Sequence, residues 1–539
     1  MTARMRRWYF AAALGCLLAA ATATAQTLQT PHELSQYKQY TGYNDMMKYL
    51  EQVRGLSQDM VLGTYGQTLD GRNLPYAVVS RPPVSEPWEA AATGKPIVVF
   101  AANIHGGEKT LRESLLVMMR NAVTPGTDIY AMLDKIVLIF VPSLNPDGGE
   151  AQPRATRGNE RGIDMNRDYV KLEQPEIAAY VKEILHTWHP DVVVDGHNGC
   201  AFPYNVCHQG PSMASSDPGL TELCDREIFP LMARRMGESD FRTWYYSGGD
   251  AKAWRVGGFD ARIGRNYAGL INSIGILFES PGGQPGDMAV KSGYVAYLSI
   301  ADYVSSNPAK VTNLVAQARR QTIAAGRNAE GDVVVQMKYE PEDKKVSYLI
   351  GAGTGRGWDR QIVEVKSADL LKKPVPTRTR PRPFAYVLEP RSIEAVRMLQ
   401  RHNIHIEVLT EATEMEVSFY RIDREIKYAH EYDHPASASV QIVDTGTKKV
   451  TFPKGTFVIP TGQALGRLVT HMLEPETNDN VVKWNTMDFA LPAGSNRPQV
   501  ADEEQPRPAA NPPQSRREPV EFPIYKLMKP QAFPGVTVR

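Results

Sequence analysis

The chain has 539 residues, 42% of them hydrophobic, and its 61 Lys and Arg nearly balance its 60 Asp and Glu, a formal net charge of +1. At about 150 residues per domain this length suggests two to four domains, with cores large enough to stand without disulfide staples. The balanced charge excludes the strongly basic surface that nucleic-acid binding draws on, so no nucleic-acid partner is expected, and composition sets no oligomeric state.

At the start of the chain, Arg4, Arg6 and Arg7 precede an apolar stretch and then Ala23-Thr24-Ala25. This is the pattern of a cleavable secretory signal over residues 1–25 and predicts a secreted or periplasmic protein. No other segment approaches the ~20 apolar residues of a membrane span, so none is expected after cleavage. Losing residues 1–25, which hold three arginines and no acid, takes the net charge from +1 to −2. Cys200, Cys207 and Cys224 then remain, enough for one bridge and one thiol or for three buried thiols.

From about residue 96 to 300, short apolar runs alternate with helical patterns: IVVFAA at 97, a helix over 111–122, IVLIFV at 136, a helix from Pro175 to about Trp188, DVVVD at 191 and GILFE at 275. The alternation predicts an α/β domain over 26–310, built on a buried, mixed and mostly parallel sheet flanked by helices. After a charged helix near 309–325, a second, smaller α/β or β-rich domain is expected over 330–491. It would hold strands near 384, 404, 415, 438 and 456 and helices over 393–399 and 465–472. Eight prolines among polar residues make 492–523 a disordered linker, followed by a tail over 524–539.

Chemistry concentrates where strands end. NIHGGEKT follows the first apolar run, and Gly106 and Gly107 clear space between His105 and Glu108. A hydrolytic zinc site takes three N and O ligands and leaves a position for water, and His105 and Glu108 supply two candidates. VVVDGHNG offers His197 at another strand end, where open α/β sheets gather their sites. Asp195, two residues earlier, either orients a ligand imidazole or caps the strand, and capping is the stronger expectation. Between these ligands, Arg154, Arg157, Arg161 and Arg167 crowd into fourteen residues beside Asn166. Guanidinium groups there suit a carboxylate or an oxyanion, while Arg154 and Arg161 are expected in solvent.

The H-x-x-E, NPDG, R-x-N, DMNRD, lone downstream histidine and FE stand in one order over roughly 35–305, and in that order the chain resembles the zinc carboxypeptidase family, the relatives of carboxypeptidase A. The resemblance implies one zinc ion on His105, Glu108 and His197, with Glu279 as general base and Arg157 polarising the scissile carbonyl. It further implies that Asn166 and Arg167 hold the terminal carboxylate of a peptide substrate. In the family's tyrosine-to-tryptophan frame, Tyr245, Gly249 and Trp254 fit a substrate-capping tyrosine, with Tyr246 one residue out of frame, and Lys252 falls at the floor of the side-chain pocket. Gly107 departs from the pattern, standing where animal digestive enzymes carry an arginine, which bears on contacts to longer peptides.

A rival motif, HEYDH at 430–434, matches His-Glu-x-x-His, but that motif binds metal from one face of a helix, and Pro435 disfavours helical geometry at His434. The expected activity is therefore hydrolysis of a C-terminal peptide bond, Glu279 passing a proton from water to the leaving amine with its pKa raised by burial. The alternatives are a cell-wall peptide or other amide hydrolase with the same site, and a non-catalytic binding protein.

Overall fold

The computed structural model describes residues 27–250, 252–353, 358–492 and 518–538. The predicted signal over 1–25 and most of the predicted linker lie outside the described residues. No helix among those described is long and apolar enough to cross a membrane.

Eight strands form the first sheet: β1 (Met60–Gln67), β2 (Asn73–Val79), β3 (Ile97–Ala102), β4 (Val137–Val141), β5 (Val192–Cys200), β6 (Val206–Gln209), β7 (Thr243–Tyr245) and β10 (Ile274–Pro281), the last reached after β8 (Ser247–Gly249) and β9 (Ala253–Val256). Their order is β1-β2-β4-β3-β5-β10-β6-β7. The central pairs β4-β3, β3-β5 and β5-β10 are parallel, while β1-β2, β2-β4 and β10-β6 are antiparallel. The predicted mixed, mostly parallel sheet flanked by helices is thus the observed one.

Side chains alternate across a strand, so a run apolar at every position feeds two cores at once. In β3, Val98, Phe100 and Ala102 face a core with the helices Thr110–Ala122 and Gly286–Ser306. Ile97, Val99 and Ala101 face the other core, with the helical stretch from Pro175 to Trp188 and the helix Gly264–Leu270. Burial on both faces explains the absence of polar alternation in IVVFAA.

The second region is joined to the first more closely than its sequence suggests. Strands β11 (Asp332–Pro341), β12 (Val346–Gly351) and β13 (Ile362–Pro381) form an antiparallel arm, and β13 pairs in parallel with β9 at Asp369–Leu371. Beyond them lie β14 (Ala385–Leu388), β15 (Ile406–Leu409), β16 (Thr413–Ile422), the hairpin of β17 (Lys427–Glu431) and β18 (His434–Ser439), then β19 (Ile442–Phe452) and β20 (Phe457–Pro460). The hydrophobic core of Val99 and Tyr267 runs on without interruption into Tyr386, Leu399 and Leu468. A buried polar chain also crosses the boundary. The Tyr267 hydroxyl lies 2.8 Å from both His186 Nε2 and His402 Nδ1, and His402 Nε2 lies 2.8 Å from the Val170 carbonyl.

The C-terminus corrects the sequence expectation. Residues 520–523, read as linker, and 524–538, read as tail, contain β21 (Val520–Leu527) and β22 (Gly535–Val538). β21 is internal to the seven-stranded sheet β19-β16-β21-β14-β20-β15-β22. Lys526 is enclosed within it, and its Nζ meets Glu474 Oε1 at 2.7 Å, where the Tyr386 hydroxyl also donates at 2.6 Å. A buried carboxylate stripped of its cation is costly. Replacing Lys526 by Met should therefore lower the unfolding free energy by about 3–5 kcal/mol in urea melts, and adding Glu474→Gln should recover a large part of the loss.

Candidate active site

The site forms where β3 and β5 run out side by side. Ala102 pairs with Gly196, so the loop after β3 emerges next to His197. Asn103 turns the chain there with φ of 61°, a left-handed conformation that Asn tolerates better than most residues. Its side-chain amide then donates to the carbonyls of His105, Gly106 and Glu108 at 2.9, 3.0 and 3.2 Å, wrapping the loop around itself. A Cβ at Gly106 would lie 2.1 Å from the Gly148 backbone, so glycine is required at that close approach. Asn145 locks the facing turn by donating to the Ile104 and Gly158 carbonyls at 3.0 Å and accepting from the Gly148 N–H.

Three donor atoms converge as a result. His105 Nδ1 is 2.9 Å and His197 Nδ1 3.2 Å from Glu108 Oε2, and the two Nδ1 atoms are 3.2 Å apart. Each far ring nitrogen meets a carboxylate: His105 Nε2 lies 3.0 Å from Asp164 Oδ1, and His197 Nε2 2.9 Å from Asp195 Oδ2. Donation of Nε2–H to those acids leaves both Nδ1 lone pairs aimed at the same point, as metal ligation requires. Asp195 therefore orients His197, correcting the stronger expectation of a strand cap. Asp164 went unassigned in the sequence, although it opens the DMNRD motif.

Electrostatics favour a cation there. Burial alone would depress the His197 pKa, but Asp195, Glu108 and Glu279 together push it up. Burial would raise the Glu108 carboxyl, yet the nearness of His105 and His197 holds it well below the usual range. Two imidazoles and a carboxylate, with acids behind both rings, match the N and O donor set of a catalytic zinc centre.

Glu279 pairs in register with His197 across β10 and β5. Its carboxyl lies over Gly199, where a Cβ would sit 2.7 Å from Oε2. Burial raises its pKa to about 7, with His197 opposing that rise and Glu108 adding to it. A disulfide joins Cys200 to Cys207 beside it, and Cys224 is a buried thiol, which settles the cysteines as one bridge and one free.

Arg157, half-exposed, spans the rim, its Nη1 3.2 Å from Glu108 and its Nε 3.0 Å from Asp164. Asn166 is buried and accepts from the Gly264 N–H at 3.0 Å. The Arg167 guanidinium lies 5.1 Å from the Tyr432 ring, which reaches in from the turn of the β17-β18 hairpin. Arg154 and Arg161 are exposed, as expected.

Two sequence assignments move. Tyr245 points away from the site, packed on His208 and Phe229 with its hydroxyl donating to Asp225 at 3.0 Å. Tyr246, on the opposite side of the chain, is the tyrosine that senses Glu279 and Glu108: burial raises its pKa and those carboxylates raise it further. Lys252 is exposed in the turn between β8 and β9, where its N–H is held by Asp250 and its carbonyl by the Asp369 N–H. It forms no pocket floor.

The rival motif is a hairpin rather than a helix: His430 and Glu431 end β17, and His434 opens β18. Glu173, Asp433 and His434 do gather closely enough to hold an ion. Lys171 already supplies the cation, with Nζ 2.5 Å from Asp433 and 3.8 Å from Glu173.

Residues 46–212 match the zinc carboxypeptidase family model. The chain is 24% identical over 444 residues to carboxypeptidase 2 of Trichophyton rubrum, covering 77% of this chain and 78% of that one. It is 28% identical over 178 residues to carboxypeptidase D of Rattus norvegicus, covering 29% of this chain and 12% of that one. Among solved structures, a metallo-carboxypeptidase from Burkholderia cenocepacia aligns at 20% identity and a TM-score of 0.40, over 50% of this chain and 70% of that one. By that match and those relatives, residues 46–212 carry a zinc carboxypeptidase domain, and the chain is similar to carboxypeptidase 2 over 77% of its length.

Proposed function

We propose that the protein removes the C-terminal residue from peptides, using one zinc ion held by His105, Glu108 and His197. The observation that carries this reading is the placement of Glu279, buried and in register with His197, beside the three converging donor atoms. Zinc bound there supplies a Lewis acid that acidifies water and polarises a carbonyl. Asp164 and Asp195 hold the two imidazoles in the orientation that ligation needs. Glu279 takes a proton from the attacking water and passes it to the departing amine, a role that a carboxyl with a pKa near 7 fills in both directions.

Arg157, anchored on Glu108 and Asp164, keeps half its surface exposed, and its guanidinium stabilises charge developing on the scissile carbonyl oxygen. Asn166 and Arg167 receive the terminal carboxylate, and the Tyr432 ring steadies Arg167 through a cation–π contact. Tyr246, rather than Tyr245, closes over the substrate. Upstream residues of the peptide have room in an adjoining cavity of about 600 Å³ lined by Tyr204, Trp244, Tyr246, Trp254 and Trp358. Export as a secreted or periplasmic protein, with residues 1–25 removed, accords with the N-terminal pattern.

Glu279→Gln should lower kcat by about 10²- to 10⁴-fold while zinc stays at one per chain by metal analysis. His197→Ala should instead lose the metal on dialysis against a weak chelator. Because Glu279 must be ionised to accept a proton, kcat/KM of the parent should rise with pH along an acid limb. The charge of bound zinc favours the carboxylate, so the midpoint should fall below the value of about 7 set by burial. A limb that persists unchanged in Glu279→Gln would assign it to another group. Arg167→Ala should cost about 2–5 kcal/mol of transition-state binding on free-acid peptides and far less on C-terminally amidated ones. Equal loss on both would remove Arg167 from carboxylate recognition, and turnover of the amidated series by the parent would favour a general amide hydrolase.

A further inference from the structure

A buried cation beside the site has no carboxylate in contact with it among the described residues. Arg265 follows Gly264, the residue whose N–H is held by Asn166, and its side chain is 6% exposed. Among the described residues, no carboxylate lies within ion-pairing distance of it. Its Nη2 donates to the Gly258 carbonyl at 2.5 Å, while its buried Nε has no hydrogen-bond partner. Gln209 presents a second orphan: Nε2 donates to the Gly257 carbonyl at 3.1 Å, and the buried Oε1 has no partner.

These groups share one space. A Cβ added at Gly257 would lie 2.7 Å from Gln209 Oε1, 3.0 Å from the Tyr246 ring and 3.2 Å from Arg265 Nη2. Gln209 sits opposite Leu277 on β10, two residues before Glu279. The groups whose charge acts on Arg265 are Tyr339, Glu279, Tyr246 and Asp260, in that order, with burial opposing them. By geometry the guanidinium stands beside Tyr246 and Gln209, on the residue that follows the Gly264 N–H held by Asn166. A substrate whose terminal carboxylate reaches Asn166 and Arg167 has its last side chain in the same neighbourhood. Taking a guanidinium out of water without a carboxylate partner is unfavourable, and the deficit is removed when a ligand brings one.

We propose that Arg265 is the specificity-determining residue, receiving the side-chain carboxylate of a C-terminal Asp or Glu, with Gln209 and Tyr246 forming the walls around it. The proposal rests on the carboxypeptidase reading above for the position of the substrate. A planar guanidinium suits a carboxylate through paired hydrogen bonds, and it disfavours a C-terminal Lys or Arg by leaving like charges together.

The test compares matched blocked peptides ending in Glu, Gln, Leu and Lys on the zinc-loaded enzyme. Calorimetric binding of the same peptides to zinc-loaded Glu279→Gln separates recognition from turnover. The Glu peptide should exceed Gln and Leu by at least about tenfold in kcat/KM, with Lys last, and the binding order should follow. Arg265→Met should erase the Glu advantage while keeping turnover of the Leu peptide. Gln209→Glu, which gives the guanidinium an internal partner, should erase it too and serves if Arg265→Met does not fold. A parent that treats Glu and Gln alike, or an Arg265→Met that loses activity equally on all four peptides, overturns the assignment. A Glu preference in binding without hydrolysis of any peptide by the parent would uphold the pocket and count against the carboxypeptidase reading instead.

Discussion

Two imidazole nitrogens and a carboxylate oxygen within about 3 Å of one another would not stay together in a flexible chain, because each would rather face water or a hydrogen. Here the sheet keeps them together. The pairing of Ala102 with Gly196 fixes where the loop after β3 starts relative to His197, and the pairing of Glu279 with His197 fixes the Glu279 carboxyl beside it. Asn103 and Asn145 then bind the loops to each other through carbonyls, so the site rests on backbone geometry more than on side-chain packing. The glycines between the functional residues follow from the same constraint. At Gly106 and Gly199 the space a side chain would fill is taken by Gly148 and by the Glu279 carboxyl.

The second region is better described as part of the site than as an appendage. Its core is continuous with that of the catalytic sheet, its long strand β13 extends the edge at β9, and its β17-β18 hairpin sets Tyr432 against both Arg167 and Arg262 at 5.1 and 5.2 Å. The motif at 430–434 is thus a hairpin that matches a helical metal-binding pattern only in its letters, and the residue within it that touches Arg167 is an aromatic one. The relative from Trichophyton rubrum aligns over 77% of this chain, well beyond residues 46–212, so the shared sequence is not confined to the metal site.

Much of this was legible in the sequence, and the parts that were not share a cause. His105, Glu108, His197 and Glu279 sit at or just past strand ends, where an apolar run breaks off into glycine and a polar residue, and that break can be read from one chain. Tyr245 and Lys252 were placed by counting along the chain from a family frame. In a strand a count that is off by one lands on the opposite face, which is why Tyr246 rather than Tyr245 looks toward Glu279. Arg265 lies in a helix between two such strands, and its importance comes from missing partners, which no spacing displays. Asp164 and Asn103 act through contacts with residues distant in sequence or through backbone carbonyls, although an acid inside DMNRD and an asparagine just before the H-x-x-E were the available signals. The C-terminal strand was misjudged because a lysine is rarely enclosed, and nothing nearby in sequence announces the glutamate that pairs with it.

The position of β21 has a consequence for when the molecule becomes whole. A ribosome delivers His105, Glu108, His197, Glu279 and the first sheet within the first 281 residues, and the hairpin that places Tyr432 over Arg167 arrives with residues 427–439. β21, the strand between β14 and β16, arrives last of the internal strands, bringing Lys526 to Glu474. Until then the sheet carries an open edge in its middle and an uncompensated acid in its interior. Full assembly of the region behind Arg167 is thereby tied to the arrival of residues 520–527, well after the sheet that holds the converging donor atoms.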